Sequence, residues 1–273
     1  MPPQPHILVT NDDGIDSHFL RLLVESLQTR YRITIAAPMG EQSWIGRAVS
    51  RNREVHLAEY HSFPGVRAFA LDGTPSDCVN IALSHLLDDL PDAVCSGINF
   101  GFNATVPHIL SSGTIAGAME GAFWGLPAFA FSLHLPKTEF ERVRKAHGKV
   151  KGAVGETIHS AAGWALRFVD AHIEDASDTP VVHNINFPTN THPESLVEHT
   201  EPAPFQMGPL FTPKTDASFH FRYGEGPSLA EGPYDYHALM AKRISYSRLD
   251  ISQIGKFGSA PRSPLESYKP GDS

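Results

Sequence analysis

The sequence predicts an α/β fold in which a mostly parallel sheet is covered by helices on both faces. Short apolar runs rich in β-branched residues alternate with stretches whose apolar residues recur at helical spacing. Parallel strands joined by helices bury both faces of their sheet. The chain has 273 residues, of which 41% are hydrophobic, and this is enough for one large domain. We therefore expect a three-layer α/β/α, Rossmann-like architecture.

A βαβ unit opens the chain. Residues 7–10 form a short apolar run, and residues 32–37 form a second run that is rich in β-branched side chains. Between them an amphipathic helix is predicted, and Asp16 or Ser17 is its expected N-cap. The apolar residues at helical spacing in this helix are Phe19, Leu20, Leu22, Leu23 and Leu27.

Further strands and helices follow in alternation. A helix is predicted to begin after Thr74, because Thr74 suits an N-cap, Pro75 suits the first helical position and Asp77 suits the positive end of the helix dipole. Apolar patterning predicts the other elements of this series. Strands are expected at 66–71, 92–95, 126–133 and 181–185, and helices at 114–124 and 152–169.

The pattern changes beyond residue 186, where repeated prolines exclude any long helix. We expect residues 1–250 to form a single domain, in which about 187–250 make a less regular oligomerisation arm or hairpin excursion with a strand at 244–249. Residues 251–273 are rich in Ser, Pro and Gly and are expected to form a partly disordered tail.

Composition excludes several classes of function. The chain has 30 acidic and 22 basic side chains and a net charge of −8, which argues against binding to a nucleic-acid duplex. Cys78 and Cys95 have neither zinc-finger spacing nor the density of a disulfide framework. The sequence shows no secretory leader and no apolar run of about 18 residues, so we expect a cytoplasmic location and no membrane contact. The 15 histidines show no His-Glu-x-x-His pattern and are interpreted as packing or surface residues.

Two carboxylates follow the first predicted strand directly, in the tetrapeptide Asn11-Asp12-Asp13-Gly14. Open parallel sheets bind ligands beyond the carboxyl ends of their strands, and a dinucleotide-binding fold would place a glycine-rich turn here. The two carboxylates would repel a phosphate, but with a cation they become its ligands. The same tetrapeptide also suits an ordinary solvated turn, so both interpretations stay open from these residues alone.

Three later segments are expected at the same edge of the sheet. The loop after the second strand offers the carboxylate of Glu41 and the hydroxyl of Ser43. Residues 96–103 carry two asparagines and two glycines, which suits a close approach of the backbone to a ligand. Ser112-Gly113-Thr114 opens a helix, and the free N–H groups at a helix start bind phosphate readily. Taken singly, each segment is more simply an ordinary turn or helix cap.

Several motifs nevertheless occur in a set order along the chain. They are residues 7–14, the loop 37–43, Asp72-Gly73-Thr74-Pro75, Ser96-Gly97-Ile98-Asn99, Ser112-Gly113-Thr114 with Glu120-Gly121, and more weakly residues 184–188 and Ile244-Ser245. In this order they resemble the SurE family of survival-protein nucleotidases, which are metal-dependent phosphatases of nucleoside monophosphates. The resemblance is strong over about residues 7–132 and weaker to residue 250.

The resemblance implies a hydrolase, a 5′-nucleotidase, that releases nucleoside and phosphate from nucleoside 5′-monophosphates, with 3′-monophosphates as a further substrate class. It implies that one divalent cation per subunit, Mg²⁺ or Mn²⁺, is held by oxygen atoms of Asp12, Asp13, Ser43 and Asn99. Asp12, Asp13 and Asn99 are the implied catalytic residues. The expected phosphate-binding residues are Asn11, Gly14, Asn103, Ser112, Gly113 and Thr114. The family also forms dimers or tetramers with exchanged C-terminal segments, so a homodimer or homotetramer is expected.

The chain departs from the family pattern at two places. Trp44 follows Ser43 where the family usually has glycine, and residues 104–111 lack the family's acidic residue and tyrosine. The substrate rim is therefore altered, and a sensor that binds metal or nucleotide without turnover is the alternative function. A nicotinamide-dependent oxidoreductase is a weaker alternative, because it requires a glycine-rich turn after the first strand. Attack by water is favoured over covalent catalysis by Asp12, and the sequence identifies no general acid.

Overall fold

The computed structural model describes residues 4–146, 148–175, 177–222 and 231–255. The strands are β1 (His6–Thr10), β2 (Arg32–Pro38), β3 (Leu57–Glu59), β4 (Arg67–Leu71), β5 (Ala93–Phe100), β6 (Ala128–Leu133), β7 (Val181–Phe187), β8 (Val197–His199), β9 (Phe211–Thr215), β10 (Ser218–Phe221) and β11 (Ile244–Asp250). The α-helices are α1 (His18–Leu27), α2 (Pro75–Ile81), α3 (Val106–Ser111), α4 (Gly113–Phe123), α5 (Lys137–Lys145), α6 (Ala153–His172) and α7 (Asp235–Met240). No helix within these ranges is both long enough and apolar enough to cross a membrane.

Nine of the strands form one sheet, in the order β3-β4-β2-β1-β5-β6-β7-β11-β8. Neighbouring strands are parallel throughout, except that β3 runs antiparallel to β4 and β11 runs antiparallel to β7. Strands β9 and β10 form a separate antiparallel hairpin. The predicted α/β class with a mostly parallel sheet is confirmed.

Strand β1 shows how the layers are built, because its successive side chains point to opposite faces of the sheet. Ile7 and Val9 pack in the core that also holds the apolar residues of α1 and α6. Leu8 packs on the other face with Cys78 and Val79 of α2. Ile7, Leu8 and Val9 are all fully buried, and each such burial stabilises the fold by about 1.5–3 kcal/mol. The predicted three layers follow from this alternation.

The predicted capping residues act differently at the starts of α2 and α1. The Thr74 hydroxyl accepts a hydrogen bond from the Asp77 amide, and the Asp77 carboxylate accepts one from the Thr74 amide, so the predicted cap is a complete capping box. At α1 the N-cap position is held by Ser17, one of the two residues predicted, although its side chain makes no capping hydrogen bond. Helix α1 is held mainly by its buried apolar face.

Strand β5 is longer than predicted. The sequence indicated a strand that ends at Cys95, but β5 continues to Phe100 and pairs with β6 as far as Leu133. At Gly97 the φ angle is +131°, and a Cβ there would lie 2.4 Å from the carbonyl oxygen of Phe131. The glycine and asparagine content that suggested a turn instead allows a bulged strand with a register shift between Ser96 and Asn99.

The region after residue 187 is more integrated into the domain than its proline content suggested. Strands β11 and β8 complete the edge of the main sheet, whereas β9 and β10, among the strands described in this region, form a hairpin outside it. Sequence patterning missed α3, α5 and α7, which are short helices of six to nine residues. Residues 251–255 form a 3₁₀ turn, and the rest of the predicted tail lies outside the described residues. The role of this region in oligomerisation stays a prediction.

Candidate active site

Three adjacent strands, β2, β1 and β5, end at the same edge of the sheet and carry the predicted site. Asp12 and Asp13 follow β1, Ser43 lies in the loop after β2, and Asn99 lies near the end of β5. Parallel strands present their carboxyl ends together, so segments far apart in sequence meet here. This shared edge is the geometric basis of the site.

Asp12 lies at the centre of this edge and is 4% exposed. Its Oδ1 accepts a hydrogen bond of 2.7 Å from the Thr114 hydroxyl, and its carbonyl oxygen accepts one of 2.7 Å from the Gln42 amide. A Cβ on Gly113 would lie 2.8 Å from the Asp12 Cβ, so a glycine is required for α4 to begin so close to this carboxylate. The start of α4 and the loop after β2 are thus both hydrogen-bonded to Asp12.

Asp13 is hydrogen-bonded to β5. Its Oδ2 accepts a hydrogen bond of 3.2 Å from the Phe100 amide, which is the residue after Asn99. Burial raises the pKa of Asp13 well above its usual range, and the neighbouring Asp12 charge raises it further. Burial raises the pKa of Asp12 as well, and the Glu41 carboxylate adds to this in both cases. Ionisation of these two adjacent carboxylates is costly, and a bound cation would lower that cost.

Ser43 and Asn99 lie beside this carboxylate pair. The Ser43 hydroxyl donates to Glu41 Oε1 at 2.8 Å, within the loop that Gln42 joins to Asp12. Asn99 donates from Nδ2 to the Gly101 carbonyl at 2.8 Å, which leaves its Oδ1 as the acceptor atom for a ligand. Ser43 and Asn99 thus adjoin residues whose amides are hydrogen-bonded to Asp12 and Asp13, and the oxygen donors of all four predicted ligands fit Mg²⁺ or Mn²⁺. Their coordination of a cation stays a prediction.

The loop that carries Ser43 is anchored on α4. The Arg47 guanidinium forms an ion pair of 2.7 Å with Glu120, whose side chain is 3% exposed. The Gly46 amide also donates to the Ser111 carbonyl at 2.9 Å. A buried carboxylate is costly without a cationic partner, so this pair ties the loop to the helix. The motif that contains Glu120 is thereby explained as support for the site.

The phosphate-binding residues predicted nearest to β1 shape the turn itself. Asn11 is fully buried and donates from Nδ2 to the Gly14 carbonyl at 2.9 Å. Gly14 has a φ angle of +94°, and a Cβ there would lie 3.1 Å from the backbone of Gly40. Both residues hold the carboxylate pair in place, and one Asn11 N–H beyond the bond to Gly14 remains for a ligand.

Asn103 is held in a buried polar network with β6 and β7. Its amide donates to Asn186 Oδ1 at 2.7 Å, and its side chain donates to the Ser132 hydroxyl at 2.8 Å. Its carbonyl oxygen accepts a bond of 3.0 Å from Asn184 Nδ2. The weak motif at residues 184–188 is thus the support of Asn103, a role that the sequence did not reveal.

Helix α4 begins with the predicted Ser112-Gly113-Thr114 segment. Ser112 is the N-cap, and its hydroxyl accepts a hydrogen bond of 3.0 Å from the Ile115 amide. The helix lies close against the sheet, because a Cβ on Gly121 would lie 2.6 Å from the side chain of Val94. The positive end of the helix dipole is therefore brought to the Asp12 edge, where it favours an anion.

The two departures from the family pattern contact each other. The ring of Trp44 lies 5.8 Å from that of His108, which belongs to the altered segment 104–111 and to α3. His108 in turn lies 4.9 Å from Phe102. We refer to Trp44, Phe102 and His108 as the aromatic rim. Sequence reasoning assigned no role to Phe102 or His108, because only the folded chain brings them beside Trp44.

Burial lowers the pKa of His108 to about 4. Its Nδ1 lies 2.7 Å from the Thr105 hydroxyl, and the Thr105 amide donates to the carboxylate of Asp235 at 2.7 Å. Asp235 is fully buried and also accepts from the Ala203 amide at 3.0 Å. The rim is therefore a neutral, apolar wall whose backbone is held by the region after residue 187.

Comparisons with known proteins identify the family. Residues 7–206 match the family model described as survival protein SurE. A protein named 5′-nucleotidase SurE from Methanosarcina acetivorans is 30% identical over 267 residues, covering 93% of this chain and 97% of its own. Another of that name from Chlorobium limicola is 42% identical over 130 residues, covering 48% of this chain and 50% of its own, so the matched segment spans about half of that relative. The crystal structure of the SurE protein from Aquifex aeolicus has the same fold, with a TM-score of 0.70 at 24% identity over 90% of this chain and 93% of its own. The chain belongs to the SurE family.

Proposed function

We propose that this protein is a hydrolase that releases phosphate from nucleoside 5′-monophosphates with the help of one divalent cation, and that 3′-monophosphates are a further substrate class. The observation that carries the proposal is the pair of buried Asp12 and half-buried Asp13, with the N-terminus of α4 hydrogen-bonded to Asp12 through Thr114. Acidic ligands for a cation and a helix start that favours an anion lie side by side. Relatives named 5′-nucleotidase support this choice of substrate.

Four residues would hold the cation: Asp12, Asp13, Ser43 and Asn99. When bound, Mg²⁺ or Mn²⁺ would supply charge neutralisation and activation of water. Thr114 holds Asp12 in one rotamer, and Phe100 does the same for Asp13 through its amide. The carboxylates are thus oriented in advance, so little ordering is needed when a ligand arrives.

The chain's own donors bind the phosphate. Gly113 and Thr114 lie in the first turn of α4, where backbone N–H groups have no partner within the helix and the helix dipole favours anionic oxygens. Asn11, Gly14, Asn103 and Ser112 complete the proposed set, the two asparagines through the N–H that their internal hydrogen bonds do not use. An overall acidic protein can bind an anion here because these groups reverse the local charge.

The geometry favours direct attack by water over a covalent aspartyl-phosphate. Asp12 is buried, and one carboxylate oxygen is occupied by Thr114 while the other lies beside Gly113. A carboxylate held on both sides in this way is a poor nucleophile toward an incoming phosphate. Rapid acid quenching during turnover is expected to trap no phosphorylated protein, and a phospho-aspartate at Asp12 would contradict direct attack.

A specific feature also favours a second function, a sensor that binds metal and nucleotide without turnover. Trp44 stands in the loop next to Ser43 and contacts both His108 and Phe221 of the β9–β10 hairpin. In this alternative, bulky rings at this position would admit a nucleotide without aligning it for phosphate release. Both functions use the same centre and differ only in whether phosphate is released.

Phosphate release from a panel of nucleoside monophosphates and p-nitrophenyl phosphate, with Mn²⁺, with Mg²⁺ and with EDTA, tests the proposal. We expect release with either cation and its loss in EDTA. Binding of nucleotide with Mn²⁺ but without release would identify the sensor. Release that persists in EDTA would contradict a cation-dependent reaction.

We also propose that the protein acts as a homodimer or homotetramer in which the region after residue 187 forms the contact. Several large apolar side chains of that region are exposed, and burying such a patch between subunits would stabilise an assembly. They are Leu196, Phe211, Phe219 and Phe221. Light scattering after size-exclusion chromatography is expected to give two or four times the mass of the 29.8 kDa chain, and a monomer would contradict the proposal.

A further inference from the structure

A cluster of nitrogen and oxygen donors lies where α6 leads into β7. His172 is the last residue of α6, Asp175 follows in the connection, and His183 lies on β7. One donor atom from each of these three side chains lies within 4.8 Å of the other two. His172 Nδ1 and Asp175 Oδ2 are 2.9 Å apart. We refer to these residues as the His172–Asp175–His183 cluster.

This cluster is separate from the candidate active site. Strand β7 lies three positions from β1 in the sheet, which at a strand spacing of about 4.8 Å is roughly 14 Å. None of the cluster's three side chains forms a hydrogen bond described for the candidate active site, although Asn184 and Asn186, farther along β7, support Asn103. A ligand bound here would therefore not depend on the carboxylate pair of the candidate active site.

The ring of His183 is held in place from three sides. Tyr246 on β11 places its hydroxyl 2.8 Å from His183 Nδ1. The ring of Phe129 on β6 stacks on His183 at 4.9 Å, and the ring of His172 lies 5.0 Å away. When Nδ1 donates its proton to the tyrosine oxygen, the lone pair of Nε2 is free to bind a metal, which is the usual outer-shell arrangement of a ligating histidine.

The other two donors can adjust to a ligand. The side chains of His172 and Asp175 are 27% and 40% exposed, at a helix end and in the loop that follows it. Donors around a tetrahedral ion with bonds of about 2.0 Å stand about 3.3 Å apart, so separations up to 4.8 Å require a small inward movement. The exposed pair can make this movement while the buried His183 stays fixed. Water also reaches the cluster through the exposed pair.

The surroundings of His183 suit a neutral imidazole ligand. Burial lowers the pKa of His183 to about 4, with His172 and the Arg248 guanidinium lowering it further and Asp175 opposing them. The imidazole is therefore unprotonated at neutral pH, as ligation requires. Arg248 pairs with His183 across the two strands and adds a positive charge, which the Asp175 carboxylate offsets.

We propose that the His172–Asp175–His183 cluster binds a divalent transition-metal ion, with Zn²⁺ or Co²⁺ as the matching ions. Two imidazoles and one carboxylate form a mixed set that these ions favour, whereas Mg²⁺ and Ca²⁺ prefer oxygen alone. Three protein ligands leave a coordination position for water. The ion joins the end of α6 to β7 and so stabilises the fold when it is bound.

Calorimetric titration of the metal-stripped full chain with Zn²⁺, and its visible absorption with Co²⁺, test the proposal. Both are run in excess Mg²⁺, which occupies all-oxygen sites. We expect saturable binding of one equivalent, Co²⁺ bands typical of nitrogen ligation, and a rise in melting temperature with Zn²⁺. Absence of saturable Zn²⁺ binding to the unmodified chain would overturn the proposal.

Variants of the exposed ligands make the test specific without endangering the core. His172→Gln and Asp175→Asn are expected to weaken Zn²⁺ binding at least about 100-fold, and Tyr246→Phe by about 10–100-fold through the loss of its bond to His183. The matched control is His199→Gln, because His199 also contacts the Tyr246 ring, at 4.9 Å, but lies outside the cluster. Unchanged binding in His172→Gln and Asp175→Asn, or an equal loss in the control, would assign the ion to other ligands and refute the proposal.

Discussion

The centre of the candidate site, which is the Asp12–Asp13 pair, and the aromatic rim differ in how burial affects their titratable groups. At the centre, burial raises the pKa values of Asp12 and Asp13, and the Asp12 charge raises that of Asp13 further, so ionisation there is costly until a cation arrives. At the rim, burial lowers the pKa of His108 to about 4 and keeps the wall neutral. The centre follows the family motifs, and the rim contains both departures from them. In the proposed function, the centre carries the chemistry and the rim adjusts which substrate reaches it.

The largest effect is expected from Asp12→Asn or Asp13→Asn. Each removes a negative ligand oxygen, so we expect the turnover number to fall about 10³-fold or more. The melting temperature is expected to stay the same or to rise, because the change removes repulsion between two buried carboxylates. Enzyme kinetics and thermal unfolding check this.

The matched control is the exposed carboxylate variant Asp89→Asn, which is expected to keep full activity. Near-normal turnover in both Asp12→Asn and Asp13→Asn would show that the centre is wrongly assigned.

A smaller loss is expected from Gly113→Ala, which changes the geometry of the centre without changing its charge. The new Cβ would lie 2.8 Å from the Asp12 Cβ and 3.1 Å from its Oδ2, so either the carboxylate or the start of α4 must shift. We expect turnover to fall about 10–100-fold, since small misplacements of reacting groups cost this much, and stability to fall by about 1–3 kcal/mol.

Gly163→Ala in α6 is the matched control, because no atom lies within 4 Å of its Cβ position. It is expected to keep activity and to gain up to about 1 kcal/mol in stability, as measured by denaturant unfolding. Equal activity in Gly113→Ala and Gly163→Ala would show that the reaction does not require α4 to begin so close to Asp12.

Trp44→Gly tests the rim. Trp44 has a φ angle of +60°, which glycine adopts without strain, so the relief of backbone strain offsets part of the lost packing against His108 and Phe221 and we expect only a modest fall in stability. If the tryptophan stacks on the nucleobase, the KM for nucleotides rises about 3–10-fold while that for glycerol phosphate, which has no ring, stays constant. Trp124→Ala, at the far end of α4, serves as the control. An equal change for both substrates would show that the rim does not discriminate between them.

The smallest effect concerns pH. Because the pKa of His108 is lower in the folded chain than the ordinary value of about 6.5, the unfolded chain binds the proton more tightly. The stabilisation is therefore complete above pH 6.5 and is lost as the pH falls toward about 4. Replacing His108 by Gln is expected to flatten this part of the profile of unfolding free energy against pH by a few kcal/mol at most. His159 is exposed, and His159→Gln is expected to leave the profile unchanged. If the profile of His108→Gln runs parallel to that of the unmodified chain, the rim histidine is not the group involved.

Elements with a local signature were predictable. Strand β1 and its Asn-Asp-Asp-Gly turn, the capping box at Thr74 and the start of α4 at Ser112 follow from patterns within a few residues. The end of β5 was not predictable, because Gly97 and Asn99 are typical turn residues and only pairing with β6 keeps them in a strand. The short helix α3 was missed for a similar reason, since six residues carry too little periodicity to be distinguished from a loop.

The sequence by itself determined the α/β class, the order of the motifs and the chemical identity of the oxygen donors, because these depend on apolar period and residue type. Only the tertiary structure decided which groups meet. The Asp12–Thr114 bond joins residues 102 positions apart, and the Asp13–Phe100 bond joins residues 87 apart. The Trp44–His108 contact and the His172–Asp175–His183 cluster likewise arise only after the strands have paired. Strand order depends on the apolar surface that all strands and helices bury together, so it cannot be predicted from any short stretch of sequence.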